Sequence, residues 1–316
     1  MDNQIDISIV IPIFNEEESI QQLIKEVINT MRETNESFEV IVINDGSIDN
    51  SAEVLSRLSQ NIPELTSILL RKNYGQTAAM AAGFDISNGK IIVSLDGDLQ
   101  NDPSDIPILI NKLKEGFDLV SGWRHDRKDA EITRKLPSKI ANKIIGKVTG
   151  VELNDYGCSL KAYRREVLSD MKLYGELHRF LPVLANIEGG RITEIKVNHR
   201  RRKYGKSKYG IDRTFRVMMD LLTIWFLNRF LTRPMYVFGF GGIIAILSSF
   251  FTCFYLLFVK LSGNDIGDRP LLIFALILGI AGVQLFCFGL LGELQIRTYH
   301  ESQGRPIYRI REILRG

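Results

Sequence analysis

Five short runs rich in β-branched residues mark the first 200 positions of this chain: 7–14, 38–44, 67–70, 90–95 and 117–121. Between them lie stretches with apolar residues at helical spacing, among them 17–32 and 76–86. Strand and helix patterns that alternate in this way predict an α/β domain: a mostly parallel sheet with helices on both faces. After residue 234 the pattern changes. Residues 235–259 carry no charge, and neither do 271–292. Each run is long enough for the ~20 residues that cross a bilayer core. A pair of buried core helices is the plainer alternative, but uncharged runs of this length are rare in soluble domains.

The charges flanking those runs give an orientation. Arg229 and Arg233 precede them, and Arg297, Arg305, Arg309, Arg311 and Arg315 follow. The connecting loop balances Lys260 and Arg269 against Asp265 and Asp268. The positive-inside rule then places both flanks, both termini and the large domain in the cytoplasm. The expected segments are an α/β domain (1–199), a basic loop with an amphipathic interfacial helix (200–233), a first transmembrane helix (234–259), a short non-cytoplasmic loop (260–269), a second transmembrane helix (270–292) and a basic cytoplasmic tail (293–316). Residues 200–216 hold eight Lys or Arg against Asp212 alone, and then run into Phe215-Arg-Val-Met-Met-Asp-Leu-Leu-Thr-Ile-Trp-Phe-Leu227. A solvated basic face would look similar. Beside two membrane spans, a lipid or phosphate partner is the better reading.

Composition adds little. The net charge of +3 identifies no partner and gives no reason to expect nucleic acid. Cys158, Cys253 and Cys287 lack metal-ligand spacing, so neither a disulfide framework nor a zinc site is expected, and the main domain suits a reducing compartment. Residues 1–6 are polar, and the apolar run after them leads straight into acids, so no cleavable signal peptide is expected.

Candidate chemistry concentrates in Val93-Ser-Leu-Asp-Gly-Asp-Leu-Gln100. Asp96 and Asp98 stand one residue apart at a predicted strand end, where i and i+2 side chains share a side. Two carboxylates so placed suit Mg²⁺ or Mn²⁺, hard cations that share their shell with substrate phosphates. An acidic turn is the bland alternative. Phe14-Asn-Glu16 and Asn44-Asp-Gly-Ser47 also fall at predicted strand ends, which is where open α/β sheets bind ligands.

Taken in order, Ile9-Val-Ile-Pro-Ile-Phe-Asn-Glu16, Val42-Ile-Asn-Asp-Gly-Ser47, Asn73-Tyr-Gly-Gln76 and Asp96-Gly-Asp-Leu-Gln100 resemble family 2 glycosyltransferases of the GT-A fold. Arg202-Lys-Tyr-Gly-Lys-Ser-Lys208, Gly292-Glu-Leu294 and Gly304-Arg-Pro-Ile-Tyr308 narrow the resemblance to polyprenyl-phosphate glycosyltransferases, the group that includes dolichol-phosphate mannose synthase. The two-span hairpin is similar to the bactoprenol glucosyltransferase branch.

The resemblance implies an inverting, metal-dependent hexosyltransferase. Its donor would be a nucleotide-sugar, with UDP-glucose the first choice and GDP-mannose or a UDP-aminosugar behind it. Its acceptor would be a polyprenyl phosphate such as undecaprenyl phosphate. Asp96, Asp98 and Gln100 would hold the metal. Pro12, Phe14, Glu16, Asp45, Asn73 and Gln76 would line the donor pocket. Arg124, Arg134, Ser138, Arg202 and Lys208 would take the acceptor phosphate. Asp155 would either assist catalysis or stabilise its loop. Lys206 departs from the family, which commonly has an acid there. A processive polysaccharide synthase shares the Asp-x-Asp, but its usual Gln-x-x-Arg-Trp segment is missing from this sequence. A non-catalytic nucleotide-binding scaffold would not need the paired acids. The Gly239-Phe-Gly-Gly242 cluster permits close helix packing and is compatible with a homo-oligomer, without fixing subunit number.

Overall fold

The computed structural model describes residues 5–125, 142, 145–146, 149–169, 171, 177–187, 189–201, 235–263, 265–267, 269–302 and 310–315. The elements in chain order are β1 (Ile7–Ile13), α1 (Ile20–Arg32), β2 (Phe38–Asn44), α2 (Ser51–Ser59), β3 (Leu65–Leu70), α3 (Gln76–Ile86), β4 (Ile91–Ser94), a single 3₁₀ turn (Pro103–Asp105), α4 (Ile106–Lys114), β5 (Leu119–Trp123), β6 (Lys161–Arg164), α5 (Arg165–Ser169), a second 3₁₀ turn (Leu177–Phe180), α6 (Leu181–Ile187), β7 (Ile192–Lys196), α7 (Met235–Leu261), α8 (Pro270–Ser302) and β8 (Ile310–Arg315). They form two compact units, 1–221 with 306–316, and 222–305.

In the first unit, eight strands run in the order β7-β5-β6-β4-β1-β2-β3-β8. The β1–β2, β1–β4, β2–β3 and β5–β7 pairs are parallel, while β4–β6, β5–β6 and β3–β8 are antiparallel. Alternate strand residues bury against opposite helix layers, as a pleated strand requires. Ile9, Ile11, Val40, Val42 and Val93 pack with α1, α2 and α4. Val10, Ile41, Ile43 and Ile92 pack with α3, α5 and α6. Both faces of the central strands are therefore covered, which is why β1 reads as an unbroken apolar run.

The strands expected at 67–70 and 117–121 span Leu65–Leu70 and Leu119–Trp123 instead. The strand expected at 90–95 ends at Ser94. The helix expected from residue 17 starts at Ile20, because the Glu16 carbonyl first accepts the Ser19 and Ile20 amides in a turn. Strands β6 and β7 were not anticipated. Finally, the stretch expected as a basic tail is not one element: α8 continues to Ser302, and Ile310–Arg315 joins the sheet beside β3.

The second unit is the pair α7 and α8. Both helices are long and apolar enough to cross a membrane, over Phe238–Leu261 and Pro270–Gly292. Phe240, Phe250, Phe251, Phe254 and Phe258 on α7 and Ile273, Ile277 and Ile280 on α8 face outward. The helices meet through small residues. A Cβ on Gly242 would lie 2.7 Å from the Gly282 carbonyl oxygen, so only glycine permits the approach. The Ser249 hydroxyl donates to the Ala275 carbonyl at 2.7 Å across the same seam. One member of the 239–242 glycine cluster is thus used inside the chain.

Candidate active site

The sheet reverses its order of construction at β1. Strands β2 and β3 build outward on one side of it, and β4 lies on the other. The crevice outside the carboxyl ends of β1 and β4 is the switch point at which such sheets bind ligands. Phe14–Glu16 follow β1 there, and Asp96–Gln100 follow β4.

Asp96, Gly97 and Asp98 lie in a turn beyond the strand, so strand alternation does not align the two acids. Local packing aligns them instead. Asp96, Asp98 and Gln100 are half-buried, while Gly97 and Leu99 between them are buried. Gly97 packs against the end of β1, where a Cβ would come within 2.7 Å of Ile13 Cγ2. Leu99 adopts φ of 61°, a left-handed conformation unusual for leucine, with its side chain anchored in the core. Turning 97 and 99 inward leaves three oxygen-bearing side chains on the open side. Asp96 Oδ1 accepts a 2.7 Å hydrogen bond from Gln76 Nε2 at the start of α3. Asp98 Oδ1 accepts the Gln100 amide at 3.1 Å. A carboxylate has about four acceptor positions, so accepting a hydrogen bond does not by itself prevent it from holding a metal. Among the described residues no group of three or more His, Cys, Asp or Glu side chains comes together. A cation here would draw two carboxylates from the protein and the rest of its shell from substrate, a donor set that fits Mg²⁺ or Mn²⁺.

The expected donor residues gather on the β1–β2–β3 side. Pro12 is buried within β1, beyond the last β1–β4 pair of Val10 with Ser94, where its missing amide costs no bond to β4. Phe14 is half-buried and Asn73 exposed. Glu16 Oε2 accepts the Ser19 hydroxyl at 2.8 Å, and that hydroxyl also lies 2.9 Å from the Gly97 carbonyl. Asp45 is buried, and its two carboxylate oxygens accept the amides of Tyr74 at 2.7 Å and Gly75 at 2.9 Å. Burial raises its pKa above the usual carboxylate value, and those two amides offset part of the rise. Asn15, at φ of 52°, joins the loops after β1 and β2: its amide donates to Ser47 Oγ at 2.8 Å, and its Oδ1 accepts the Ile48 amide at 2.9 Å.

On the β4–β5–β6 side, Arg124 follows β5 and faces Asp155. Its Nε and a terminal nitrogen donate to the two Asp155 oxygens at 2.7 and 2.9 Å. Asp155 also accepts the amides of Arg124 at 3.3 Å and Gly157 at 3.1 Å. Both side chains are largely buried, 15% and 4% exposed. Burial disfavours the guanidinium charge, but the Asp155 pair outweighs it and holds the Arg124 pKa above its ordinary value. Asp155 thus ties its own loop, through the Gly157 amide, to the Arg124 backbone and side chain. Arg134, Ser138, Arg202 and Lys208, with the amphipathic stretch, lie outside the described residues.

Several residues at the site had no sequence signal. The Asn101 side chain donates to Ser159 Oγ at 2.7 Å, tying the 96–101 turn to the Asp155 loop. Lys161 is fully buried, with Nζ donating to the carbonyls of Tyr156 and Cys158. Burial lowers its pKa. A lysine inside a strand, or an asparagine after a turn, is silent until its neighbours are known.

The chain belongs to the family described as glycosyl transferase family 2, whose model matches residues 8–172. Over 319 residues it is 43% identical to the dodecaprenyl-phosphate galacturonate synthase of Rhizobium johnstonii, covering 98% of this chain and 93% of that protein. It is 38% identical over 311 residues to the undecaprenyl-phosphate 4-deoxy-4-formamido-L-arabinose transferase of Salmonella choleraesuis, with 98% and 93% covered. The fold is GT-A. It is similar to glucosyl-3-phosphoglycerate synthase from Mycobacterium tuberculosis bound to phosphoglyceric acid, with a TM-score of 0.52 at 19% identity over 71% of this chain and 79% of that one.

Proposed function

We propose that this enzyme transfers a sugar, with inversion, from a nucleotide-sugar to a polyprenyl phosphate. One observation carries the reading: Asp96, Asp98 and Gln100 stand half-exposed together at the switch point, with Gln76 fixing Asp96. A divalent cation held there would neutralise charge developing on a leaving diphosphate. The acceptor phosphate, with a second pKa near ~6, is largely a dianion at neutral pH and needs no strong general base. The protein's task is then to place and shield it. Arg124, oriented by Asp155, presents the remainder of its five-donor fork to that phosphate. Arg134, Ser138, Arg202 and Lys208 complete the acceptor set. The β1–β2 loops, with Glu16 and Asp45, take the nucleoside.

Both named relatives use a polyprenyl phosphate, which supports the acceptor. Their sugars differ from each other and from glucose, so the sugar is the variable part of the reading. UDP-glucose and undecaprenyl phosphate stay as first candidates, joined by UDP-linked uronate and amino-pentose donors. The apolar helix pair and the basic flanks support an integral membrane protein with its sheet domain and both termini in the cytoplasm.

The full chain in lipid bilayers, given undecaprenyl phosphate and each donor in turn, tests this. A lipid-linked monosaccharide is expected; a polymer, or no transfer from any donor, overturns the reading. Asp98→Ala should cost at least about 100-fold in rate and abolish UDP-dependent Mn²⁺ binding seen by electron paramagnetic resonance. Full activity of that variant in chelator would remove the metal from the mechanism.

A further inference from the structure

Residues 155–159 lie outside helix and strand and join two parts of the site. At one end, Asp155 holds the Arg124 guanidinium through both of its oxygens. At the other end, Ser159 is held from the opposite side. Its hydroxyl accepts the Asn101 side chain at 2.7 Å, and its carbonyl accepts the Ser94 hydroxyl at 2.8 Å. Asn101 directly follows Gln100, and Ser94 ends β4 two residues before Asp96. The stretch therefore has one foot on Arg124 and the other on the 96–101 turn.

Between the two feet the backbone makes a turn, and a buried lysine holds that turn. Lys161 lies in β6, opposite Ser94 of β4 and Ser121 of β5. Its side chain is buried, and its ammonium donates to the carbonyl of Tyr156 at 3.4 Å and to that of Cys158. Those carbonyls stand on either side of Gly157, so one group gathers both legs of the turn. A buried ammonium is costly even when hydrogen-bonded, and an apolar side chain would fill a strand position without that cost. Its charge also lies within electrostatic reach of both feet. Asp155 and Asp96 favour the ammonium and Arg124 opposes it, while burial is the largest effect and lowers its pKa.

Gly157 shows how the turn bears on Arg124. A Cβ there would come within 3.2 Å of a terminal nitrogen of the guanidinium and 3.6 Å of Asp155 Oδ1. The turn thus stands against the side chain that Asp155 orients, and a displaced turn displaces the guanidinium. Transfer needs reacting atoms about 3–3.5 Å apart, and a misplacement of about 1 Å can cost about 100-fold.

We propose that Lys161 is a positioning residue for the transfer reaction: by gathering the 156 and 158 carbonyls it sets the separation of Arg124 from the 96–101 turn. This rests on the reading that Arg124 takes the acceptor phosphate and that Asp96 and Asp98 hold the metal. Lys161 acts through the 155–159 stretch, at the level of the backbone.

The test uses the full chain in mixed micelles of detergent and undecaprenyl phosphate, with the best donor from the screen above. Lys161→Met should lower kcat by about 10- to 100-fold, while KM for the lipid phosphate and UDP affinity in Mn²⁺ stay within about threefold. The number of UDP sites per chain should stay at the natural value. Gly157→Ala, which crowds Arg124 and leaves Lys161 intact, should act in the same direction and carries the test if Lys161→Met does not fold. In a double-mutant cycle, adding Lys161→Met to Arg124→Ala should cost little more than Arg124→Ala alone. Fully additive losses, a rate that falls only in step with the number of UDP sites, or unchanged kcat in the folded variants beside an impaired Arg124→Ala overturn the role of Lys161 alone. An Arg124→Ala enzyme with unchanged acceptor kinetics overturns the acceptor assignment, and the role of Lys161 with it.

Discussion

At the residue scale, the site relies on charges that are buried and committed. Asp155 is 4% exposed and gives both oxygens to Arg124. Removing its charge would leave a guanidinium largely out of water. Asp155→Asn should therefore destabilise the domain by about 3 kcal/mol, the usual scale for breaking a buried pair. Thermal unfolding of the variant checks this, and a proton-transfer role for Asp155 would show instead as lost rate at unchanged stability. Lys161 makes a pH prediction. Burial lowers its pKa in the folded state, so between that lowered value and the ordinary lysine value of 10.5 the unfolded chain binds more protons. Its contribution is present above that pH and is lost as pH falls through the folded value. The thermal midpoint of the natural protein relative to Lys161→Met should thus rise between pH 7.5 and about 10. A flat difference across that range would mean that Lys161 titrates as an exposed lysine.

At the element scale, loops after parallel strands are held by side chains reaching across from the neighbouring loop. Asp45, at the end of β2, caps the turn that enters α3, and α3 then delivers Gln76 to Asp96. Asp45→Ala would orphan the Tyr74 and Gly75 amides, at about 1–3 kcal/mol each if they stay dry. Its UDP affinity should fall about tenfold, with Asp45→Asn intermediate because the amide oxygen keeps one acceptor. Isothermal titration with UDP and Mn²⁺ measures both. Unchanged affinity in the alanine variant would detach the 71–75 turn from donor binding.

At the scale of the whole molecule, the chain leaves the sheet unit, passes through both apolar helices and returns to the same sheet as β8. Chain direction makes the geometry specific. β7 is parallel to β5, and β8 is antiparallel to β3, so β7 ends and β8 begins on the edge that carries the site. Strand β8 also covers β3, which would otherwise present unpaired backbone groups. Deleting 306–316 should remove the bonds of five paired positions, from Thr66 with Arg315 to Leu70 with Ile310. At about 0.5–1.5 kcal/mol per bond, the loss is several kcal/mol. The deleted protein should unfold at a lower temperature and self-associate on size-exclusion chromatography; unchanged stability would make β8 dispensable.

Local chemistry made much of this legible in the linear chain. Residues 38–44 and 76–86 were read at their observed limits, because a β-branched run and a helical stretch opened by Gly75 depend on near neighbours only. The apolar helices needed nothing but length and absence of charge. Asp96 and Asp98 were read as a pair, though for the wrong reason: they sit past the strand and are aligned by Gly97 on Ile13 and by the left-handed Leu99. Tertiary structure alone decided the partners. Strands β6, β7 and β8 gain their stability from pairing with segments far away in sequence, and a short or charged strand carries no periodicity strong enough to announce that. The same holds for Asp155 with Arg124, Asp45 with the 74–75 amides, and Arg200 with Asp102 and Glu26. A charged side chain looks alike in sequence whether it awaits a substrate or holds a loop, and only the burial and the neighbours supplied by folding distinguish the two.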